Sequence, residues 1–319
     1  MNTLQPHFFD SKRGEGRLPC YYADSQNIDL VDFYIKNRDN VLKALQIYGA
    51  VLFRDFDLVS LSQFNDLANT VFCKLLDYTY RSTPRTKLGG SIYTATEYPS
   101  DRWIQFHNEC SYSLTWPEKL LLFCVIAPKE GGETAIADSR AVYKRIRPEV
   151  IEKFEELKVM YVRNYLRGID LSWQEVFQTQ NRQDVEKYCQ ENFIKYEWQT
   201  GNVELTTKQV CQATYFIPLT REKVWFNQAH LFHLSSLRPQ DKEQLEMLIG
   251  KNNFTRNAFY GNGEEIEESC LTAIRNAYED ERIEFKWKKK DVMLIDNVLM
   301  AHSRNPFKGN RKIAVAMGN

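Results

Sequence analysis

Two residues that can bind a transition metal stand two positions apart in a stretch with the character of a strand. Side chains alternate along a strand, so in 103–109 His107 and Glu109 are expected on one face and Asn108 on the other. An imidazole and a carboxylate placed in this way are two of the three ligands of the set, two histidines and one carboxylate, that holds non-haem Fe(II). A lone His-x-Glu pair is more often an ordinary surface or core pair, so a second histidine is required.

The second histidine is predicted to be His302, which ends the apolar run 292–301. A ligand so distant along the chain is expected when a sheet closes the site. Further along, Pro306 and Gly309 predict a turn that returns Arg311 to the same neighbourhood. A planar guanidinium suits a carboxylate, which an iron oxygenase using 2-oxoglutarate must anchor. The competing interpretation of Arg311 is a surface salt bridge.

These residues belong to a larger set of motifs that resembles a known superfamily. The chain is similar to the taurine dioxygenase and clavaminate synthase superfamily of Fe(II)/2-oxoglutarate oxygenases over about 48–317. Within that superfamily, the stretch from 94–99 through 138–140 is similar to the syringomycin-pathway aspartyl β-hydroxylase type. The motifs that carry the resemblance are His107-Asn108-Glu109, Gly131-Gly132-Glu133-Thr134, Asp296-Asn297, His302-x-Arg304 and Gly309-x-Arg311.

The resemblance implies a fold, cofactors and site residues. It implies a mainly β protein with flanking helices (α+β) and a double-stranded β-helix (jelly-roll) core. It implies Fe(II) held by His107, Glu109 and His302, with 2-oxoglutarate and O2 as cosubstrates, and Thr134 sharing the distal carboxylate of 2-oxoglutarate with Arg311. Related halogenases have a small residue in place of the carboxylate ligand, so Glu109 favours hydroxylation.

The sequence departs from the superfamily in two places. Ser303 replaces the usual glycine after the distal histidine, and Lys290-Asp291 replaces a Gly-Asp pair before the preceding strand. Neither position is a metal ligand, so we expect the turn geometry to adjust and the chemistry to remain.

Composition limits the class of protein. The 319 residues are 43% hydrophobic and contain no linker, which predicts one domain over 1–319. Lysine plus arginine and aspartate plus glutamate number 42 each, so no net charge favours nucleic acid or an anionic membrane. There is neither a signal-peptide pattern nor an apolar run of about 18 residues, and a cytoplasmic location is expected. The seven cysteines are scattered and are expected to be reduced.

Periodicity places the remaining elements. We expect 1–26 to be an irregular N-terminal arm, and 28–48 to form helices broken around 37–39. Strands are predicted at 49–56 and 120–125. Further helices are predicted at 59–76, 141–157, 173–196, 237–248 and 266–278.

Two groups of residues have open interpretations. Arg81 and Arg85 lie in a loop expected at the mouth of the site, where they are either solvated or contact a substrate carboxylate. His230 and His233 have helical spacing, but their aromatic surroundings favour structural or substrate-lining roles over a second metal.

The substrate is expected to be an amino acid or an aminoacyl group, oxidised at its β-carbon in natural-product biosynthesis. Ile313 and Val315 follow Arg311 on one strand face, where relatives acting on free acids carry a second arginine. Their apolar character favours a substrate tethered to a peptidyl carrier protein. The alternatives are a catabolic dioxygenase acting on a free small acid, desaturation or other oxidation of a free amino acid, and a carrier-binding protein without chemistry.

Overall fold

The computed structural model describes residues 5–23, 27–77, 80, 82–96, 98–200, 203–250 and 254–319. Its strands are β1 (His7–Asp10), β2 (Arg17–Tyr22), β3 (Ala50–Arg54), β4 (Lys87–Gly89), β5 (Ile92–Thr94), β6 (Ile104–His107), β7 (Lys119–Ile126), β8 (Glu130–Gly131), β9 (Ile136–Asp138), β10 (Val159–Leu166), β11 (Lys195–Trp198), β12 (Val203–Cys211), β13 (Thr214–Ile217), β14 (Glu222–Trp225), β15 (Arg256–Tyr260), β16 (Val292–Asp296), β17 (Met300–Arg304), β18 (Phe307–Lys308) and β19 (Lys312–Gly318). Its α-helices are α1 (Leu30–Tyr48), α2 (Leu61–Val71), α3 (Ser139–Arg145), α4 (Pro148–Leu157), α5 (Trp173–Phe177), α6 (Arg182–Glu191), α7 (Ala229–Phe232), α8 (Pro239–Ile249) and α9 (Glu268–Asp280).

The largest sheet is buried on both faces. Its strand order is β1-β2-β3-β16-β7-β19-β5-β4. On β7, Leu120 and Leu122 join the cluster inside the barrel, whereas Leu121 and Phe123 pack beneath α1 and α2. Alternate side chains of a strand face opposite ways, so the uninterrupted apolar run of β7 is what a doubly covered strand requires.

A smaller sheet, β6-β17-β9, supplies the opposite wall of the barrel. Apolar side chains from it, including Ile136 and Met300, share the inner cluster with Leu120 and Val315 of the large sheet. Two such sheets packed face to face, with helices outside, confirm the mainly β jelly-roll fold with flanking helices.

The segment between the two halves of the barrel contains a further sheet that was not predicted from the sequence. Its strand order is β11-β12-β10-β15, and α4, α6 and α9 contribute side chains to its apolar cluster. Part of the helix expected over 173–196 is present as α5 and α6, but 195–198 forms β11. Hence the insertion between the ligand strands carries a sheet as well as helices.

Two further expectations were wrong. The arm over 1–26 is not irregular where it is described, because β1 pairs with β2 and β2 extends the large sheet beside β3. The predicted break at 37–39 is absent from the continuous helix α1, where the Asn37 side chain donates to Phe33 O at 2.9 Å. Lys290, at the position where the superfamily usually has glycine, adopts φ 75°, in the region that favours glycine.

No helix in the described parts of the chain combines the length and apolar character needed to cross a membrane.

Candidate active site

Strand pairing brings the two predicted histidine ligands, which are distant in the sequence, close together in space. In the antiparallel pair β6 and β17, His302 lies opposite His107, and their ring centroids are 4.3 Å apart. Glu109 Oε2 lies 3.9 Å from His302 Nε2. Ligand atoms of all three residues lie within 4.8 Å of one another, so the structure brings the predicted set together.

Contrary to the prediction, the position of Glu109 does not result from the alternation of side chains along a strand. Strand β6 ends at His107, and Glu109 lies in the turn that follows. The buried amide of Asn297 fixes that turn: its Oδ1 accepts from Glu109 N at 2.6 Å, and its Nδ2 donates to Glu109 O at 2.9 Å. The turn between β16 and β17 therefore positions the backbone of the carboxylate residue.

Burial keeps both imidazoles in the form that can coordinate a metal. Desolvation lowers the pKa of His107, and desolvation together with nearby His107 and Arg85 lowers the pKa of His302. His107 Nδ1 lies 2.8 Å from Gln105 O, an arrangement that suits an N–H at Nδ1 and leaves Nε2 with its lone pair. Neutral rings with an available lone pair are what a metal ligand requires.

Thr134 and Arg311 meet at the far end of the same site. Arg311 donates through Nε to Gly132 O at 2.8 Å and through Nη2 to Thr134 Oγ1 at 3.1 Å. Trp287 Nε1 also donates to Thr134 Oγ1, at 3.0 Å. A hydroxyl has two acceptor positions and one proton, so these two donors leave the proton of Thr134 to be donated elsewhere.

Arg311 remains a cation in this buried position. Burial, with the nearby positive charge of Arg304, lowers the pKa of Arg311 to about 10. At neutral pH the guanidinium is therefore charged. The site thus combines one full positive charge with one hydroxyl proton, which suits a carboxylate group.

Arg85 is buried, so the solvated interpretation of this residue is wrong. Its Nη2 donates to Glu109 Oε2 at 2.7 Å, and both side chains are only 4% exposed. Arg81, the other candidate from that loop, lies outside the described residues. No periodic pattern marks Arg85, because it stands in an irregular loop before β4.

Two cavities meet at the histidine and carboxylate cluster. A cavity of about 40 Å³ is lined by all five predicted site residues, namely His107, Glu109, Thr134, His302 and Arg311. Ile313 and Val315 also line it, as their strand face implied. A second cavity of about 480 Å³ shares Arg85, His107 and Glu109 with the first and extends toward the insertion.

The other two histidines lie outside the cluster. His230 is 1% exposed, and its Nε2 lies 2.9 Å from Phe106 O. His233 Nδ1 accepts from Ser235 N at 3.1 Å as a local cap. Among the described residues, the only group of three or more metal-binding side chains is His107, Glu109 and His302, which agrees with structural roles for His230 and His233.

Comparisons with known proteins agree with the fold and the cluster. Residues 15–317 match the family model described as "Taurine catabolism dioxygenase TauD, TfdA family". The dapdiamide synthesis protein DdaC of Enterobacter agglomerans is 39% identical over 269 residues, covering 84% of this chain and 82% of that protein. A clavaminate synthase-like protein of Arabidopsis thaliana is 31% identical over 278 residues, covering 84% and 81%.

One solved structure extends the comparison to the fold. PvcB of Pseudomonas aeruginosa, described as an Fe, α-ketoglutarate-dependent oxygenase from an isonitrile synthetic pathway, superposes with a TM-score of 0.55. It is 11% identical, and the match covers 99% of this chain and 92% of PvcB, so it supports the fold alone. The family model and both sequence relatives span most of this chain, and the fold and the cluster are consistent with them. The chain therefore belongs to the TauD/TfdA family of Fe(II)/2-oxoglutarate-dependent dioxygenases.

Proposed function

We propose that this dioxygenase hydroxylates the β-carbon of an amino acid or aminoacyl group in natural-product biosynthesis. In this proposal His107, Glu109 and His302 hold Fe(II), and Thr134 and Arg311 bind the distal carboxylate of 2-oxoglutarate. The observation that carries it is the convergence of these five side chains on one small cavity, with two imidazoles and a carboxylate at one end and a hydroxyl and a guanidinium at the other.

The residues fit the cofactors of the family, which are Fe(II), 2-oxoglutarate and O2. Two neutral imidazoles and one carboxylate form the donor set typical of non-haem Fe(II) oxygenases. Nε2 of His302 lies 3.9 Å from Glu109 Oε2, so this ring nitrogen and the carboxylate oxygen can both face one ion. Metal coordination is the chemistry that best accounts for such a set at the meeting point of two cavities.

Each side chain has a distinct task. Arg311 and the free proton of Thr134 bind and orient 2-oxoglutarate, and Trp287 holds the threonine hydroxyl so that its proton faces the ligand. Apolar Ile313 and Val315 exclude water beside it. When bound, iron would activate O2 and 2-oxoglutarate would act as the two-electron reductant, so that one oxygen atom of O2 enters a C–H bond of the substrate and the other leaves in succinate, with release of CO2. The substrate enters through the larger cavity, whose wall includes His107 and Glu109.

Hydroxylation is proposed over halogenation because Glu109 fills the third ligand position. A halogenase leaves that position to chloride. We expect the protein with Fe(II), 2-oxoglutarate, substrate and chloride to yield a product 16 mass units heavier, as one added oxygen atom requires. A mainly chlorinated product would contradict this part of the proposal.

The amino-acid class of substrate is supported by the relative that takes part in dapdiamide synthesis. Presentation on a carrier protein is supported by the apolar Ile313 and Val315, which leave that strand face without a partner for a free carboxylate. Turnover of one amino acid, offered free and loaded on a peptidyl carrier, decides between the forms. Efficient oxidation of the free acid with no gain on the carrier removes the tethered form.

A catabolic dioxygenase acting on a free small acid is the second candidate. The observation in its favour is Arg256, a cation in the wall of the larger cavity. Such an enzyme should turn over free acids that lack an amino group.

The cofactor assignment has a test that needs no substrate. Anaerobic addition of Fe(II) and 2-oxoglutarate should produce a weak visible charge-transfer band. The variant His302→Ala should lose the band and retain little iron, because two remaining ligands bind Fe(II) weakly. A variant that keeps a normal band would remove His302 from the ligand set, and a colourless wild-type protein would favour a carrier-binding protein without chemistry.

A further inference from the structure

The larger cavity is mostly apolar and has few charged groups. Its volume of about 480 Å³ falls within the roughly 300–1,000 Å³ of small-molecule sites. Phe232, Leu245 and Phe254 are among its apolar walls. The described residues that line it and carry a formal charge are Arg85, Glu109, Asp170 and Arg256.

Glu109 is assigned to the metal in the proposed function, and Arg85 donates to it at 2.7 Å. The charges left to meet a substrate are therefore those of Asp170 and Arg256. Asp170 follows β10, and Arg256 is the first residue of β15. Their side chains are 26% and 25% exposed, so the pair is accessible although it lines the cavity.

The pair is rigidly held and still has unused hydrogen-bonding capacity. Arg256 donates from Nε to Asp170 Oδ2 at 3.0 Å and from Nη2 to Oδ1 at 3.1 Å, and Leu171 N donates to Oδ1 at 2.8 Å. A carboxylate has about four acceptor positions, so one remains on Asp170. Nη1 of Arg256 donates to no group among the described residues, which leaves two N–H donors.

An ion pair with only a structural task does not need to face a cavity. Arg167 and Glu204 form an ion pair on the same sheet, and the Arg167 side chain is 83% exposed. The pair of Asp170 and Arg256 differs from it because both of its side chains line the larger cavity. Its unused donors and acceptor are therefore in a position to meet a polar group of a molecule bound in the cavity.

Resting on the proposed function, we propose that Asp170 and Arg256 form the recognition site for the head group of the substrate. Asp170 accepts from an α-ammonium group, and Nη1 of Arg256 donates to the adjacent acyl oxygen. In an α-amino acid the ammonium group and the acyl carbon are both bonded to Cα. The ammonium group can therefore contact the carboxylate of Asp170 while the acyl oxygen contacts the guanidinium of Arg256. The apolar walls then receive the side chain. The same chemistry is offered by a free amino acid and by an aminoacyl thioester.

The test measures binding rather than turnover. Protein loaded with Mn(II) and N-oxalylglycine, an unreactive analogue of 2-oxoglutarate, is titrated calorimetrically with the proteinogenic L-amino acids. Each is offered free, as its N-acetyl derivative and as its N-acetylcysteamine thioester. For the best-bound amino acid, we expect N-acetylation and Asp170→Asn each to weaken binding by about tenfold or more, the scale of a lost hydrogen bond to a charged group.

The second variant distinguishes the two sources of the head group. Arg256→Gln should weaken binding of the free acid by about tenfold or more. If Arg256→Gln weakens binding of the thioester less than binding of the free acid, Arg256 binds the carboxylate of the free acid. If it weakens both equally, Arg256 binds the carbonyl oxygen that both forms have. Arg167→Gln, which breaks the outward-facing pair, should bind like the wild type.

Several results would overturn the inference: N-acetyl derivatives that bind as well as the free amino acids, wild-type affinity in both variants, or no binding by any panel member. The affinity for N-oxalylglycine should be unchanged in every variant, which also reports an intact fold. A wild-type protein that binds neither Mn(II) nor N-oxalylglycine contradicts the proposed function itself, and the inference with it.

Discussion

Arg85 Nη2 lies 2.7 Å from Glu109 Oε2, in an ion pair whose two side chains are each 4% exposed. Glu109 Oε2 is also the oxygen that lies 3.9 Å from His302 Nε2. Arg85 thus holds Glu109 Oε2 toward the imidazole of His302, which belongs to the same cluster. Carboxylate ligands need such partners, because the groups around a ligand fix its orientation.

Replacement of Arg85 should weaken metal binding even though it removes a positive charge. In Arg85→Met the buried Glu109 side chain loses its partner and its orientation, and we expect Mn(II) affinity, titrated by electron paramagnetic resonance, to fall about tenfold, within the range known for the partners of metal ligands. Arg85→Lys should retain part of the Mn(II) affinity that Arg85→Met loses. If charge repulsion were the main role of Arg85, the methionine variant would bind Mn(II) more tightly than the wild type.

A second buried ion pair supplies the control for that experiment. Arg54 and Asp291 are 2.6 Å apart and are 6% and 1% exposed, yet neither residue lines the two cavities described above. Arg54→Met should lower the free energy of unfolding by about 3–5 kcal/mol, the usual cost of stranding a buried charge. Its Mn(II) affinity should stay at the wild-type value. A loss of metal affinity in both variants would indicate general destabilisation instead of positioning.

Arg311→Ala should leave Mn(II) affinity intact and weaken 2-oxoglutarate binding by about 2–4 kcal/mol, the scale for truncating one partner of a buried charge pair. The guanidinium is the cation that, with Thr134, faces the small cavity, and Gly132 O orients it. Anaerobic titration of the Fe(II) protein, followed by its charge-transfer band, measures the affinity. Unchanged 2-oxoglutarate affinity would exclude Arg311 from the carboxylate site.

Thr134→Val should weaken 2-oxoglutarate binding by about 1.5–3 kcal/mol, the range for one hydrogen bond to a charged group. Valine has nearly the same shape but no proton to donate, and it also leaves Trp287 Nε1 and Arg311 Nη2 without their acceptor. Thr134→Ser, which keeps the hydroxyl, should bind 2-oxoglutarate nearly as well as the wild type. Equal affinities of the valine and serine variants would show that the hydroxyl proton is not used.

The metal cluster could be predicted from sequence because His107, Glu109 and His302 stand in or just after segments with the character of strands. The run before His302 and the strand before Glu109 both have the character of sheet segments. What the sequence alone could not supply is the register. The pairing of His302 with His107 depends on the packing of the two sheets, which no local pattern encodes. The resemblance to a known superfamily provided that information.

The contacts of residues in irregular segments were not predicted, for a physical reason. Arg85 and Trp287 stand outside regular elements, where no periodicity indicates the direction of a side chain. Strand β10 is a different case: Val159, Tyr161, Arg163 and Tyr165 are buried in alternation, a period of two that was present in the sequence. The buried Arg163 within that series hides the apolar pattern.

The buried histidines outside the cluster should make the protein sensitive to acid. Desolvation lowers the pKa of His230 to about 3 and that of His233 to about 4. In the unfolded chain a histidine takes up a proton near pH 6.5, so below that pH the unfolded state binds more protons than the folded state. The free energy of unfolding therefore falls as the pH drops, by up to about 1.4 kcal/mol per pH unit for each histidine, until the folded pKa is reached.

His230→Gln should reduce this dependence on pH. Urea unfolding at pH 7 and pH 5 should show that the variant loses up to about 2 kcal/mol less stability than the wild type over that interval, since about 1.5 units of it lie below pH 6.5. Both proteins retain His107 and His302, so the difference isolates His230. The exposed His7, changed to glutamine in the same way, is the matched control. Parallel pH profiles for wild type and His230→Gln would mean that His230 takes up its proton in the folded protein as readily as in the unfolded chain.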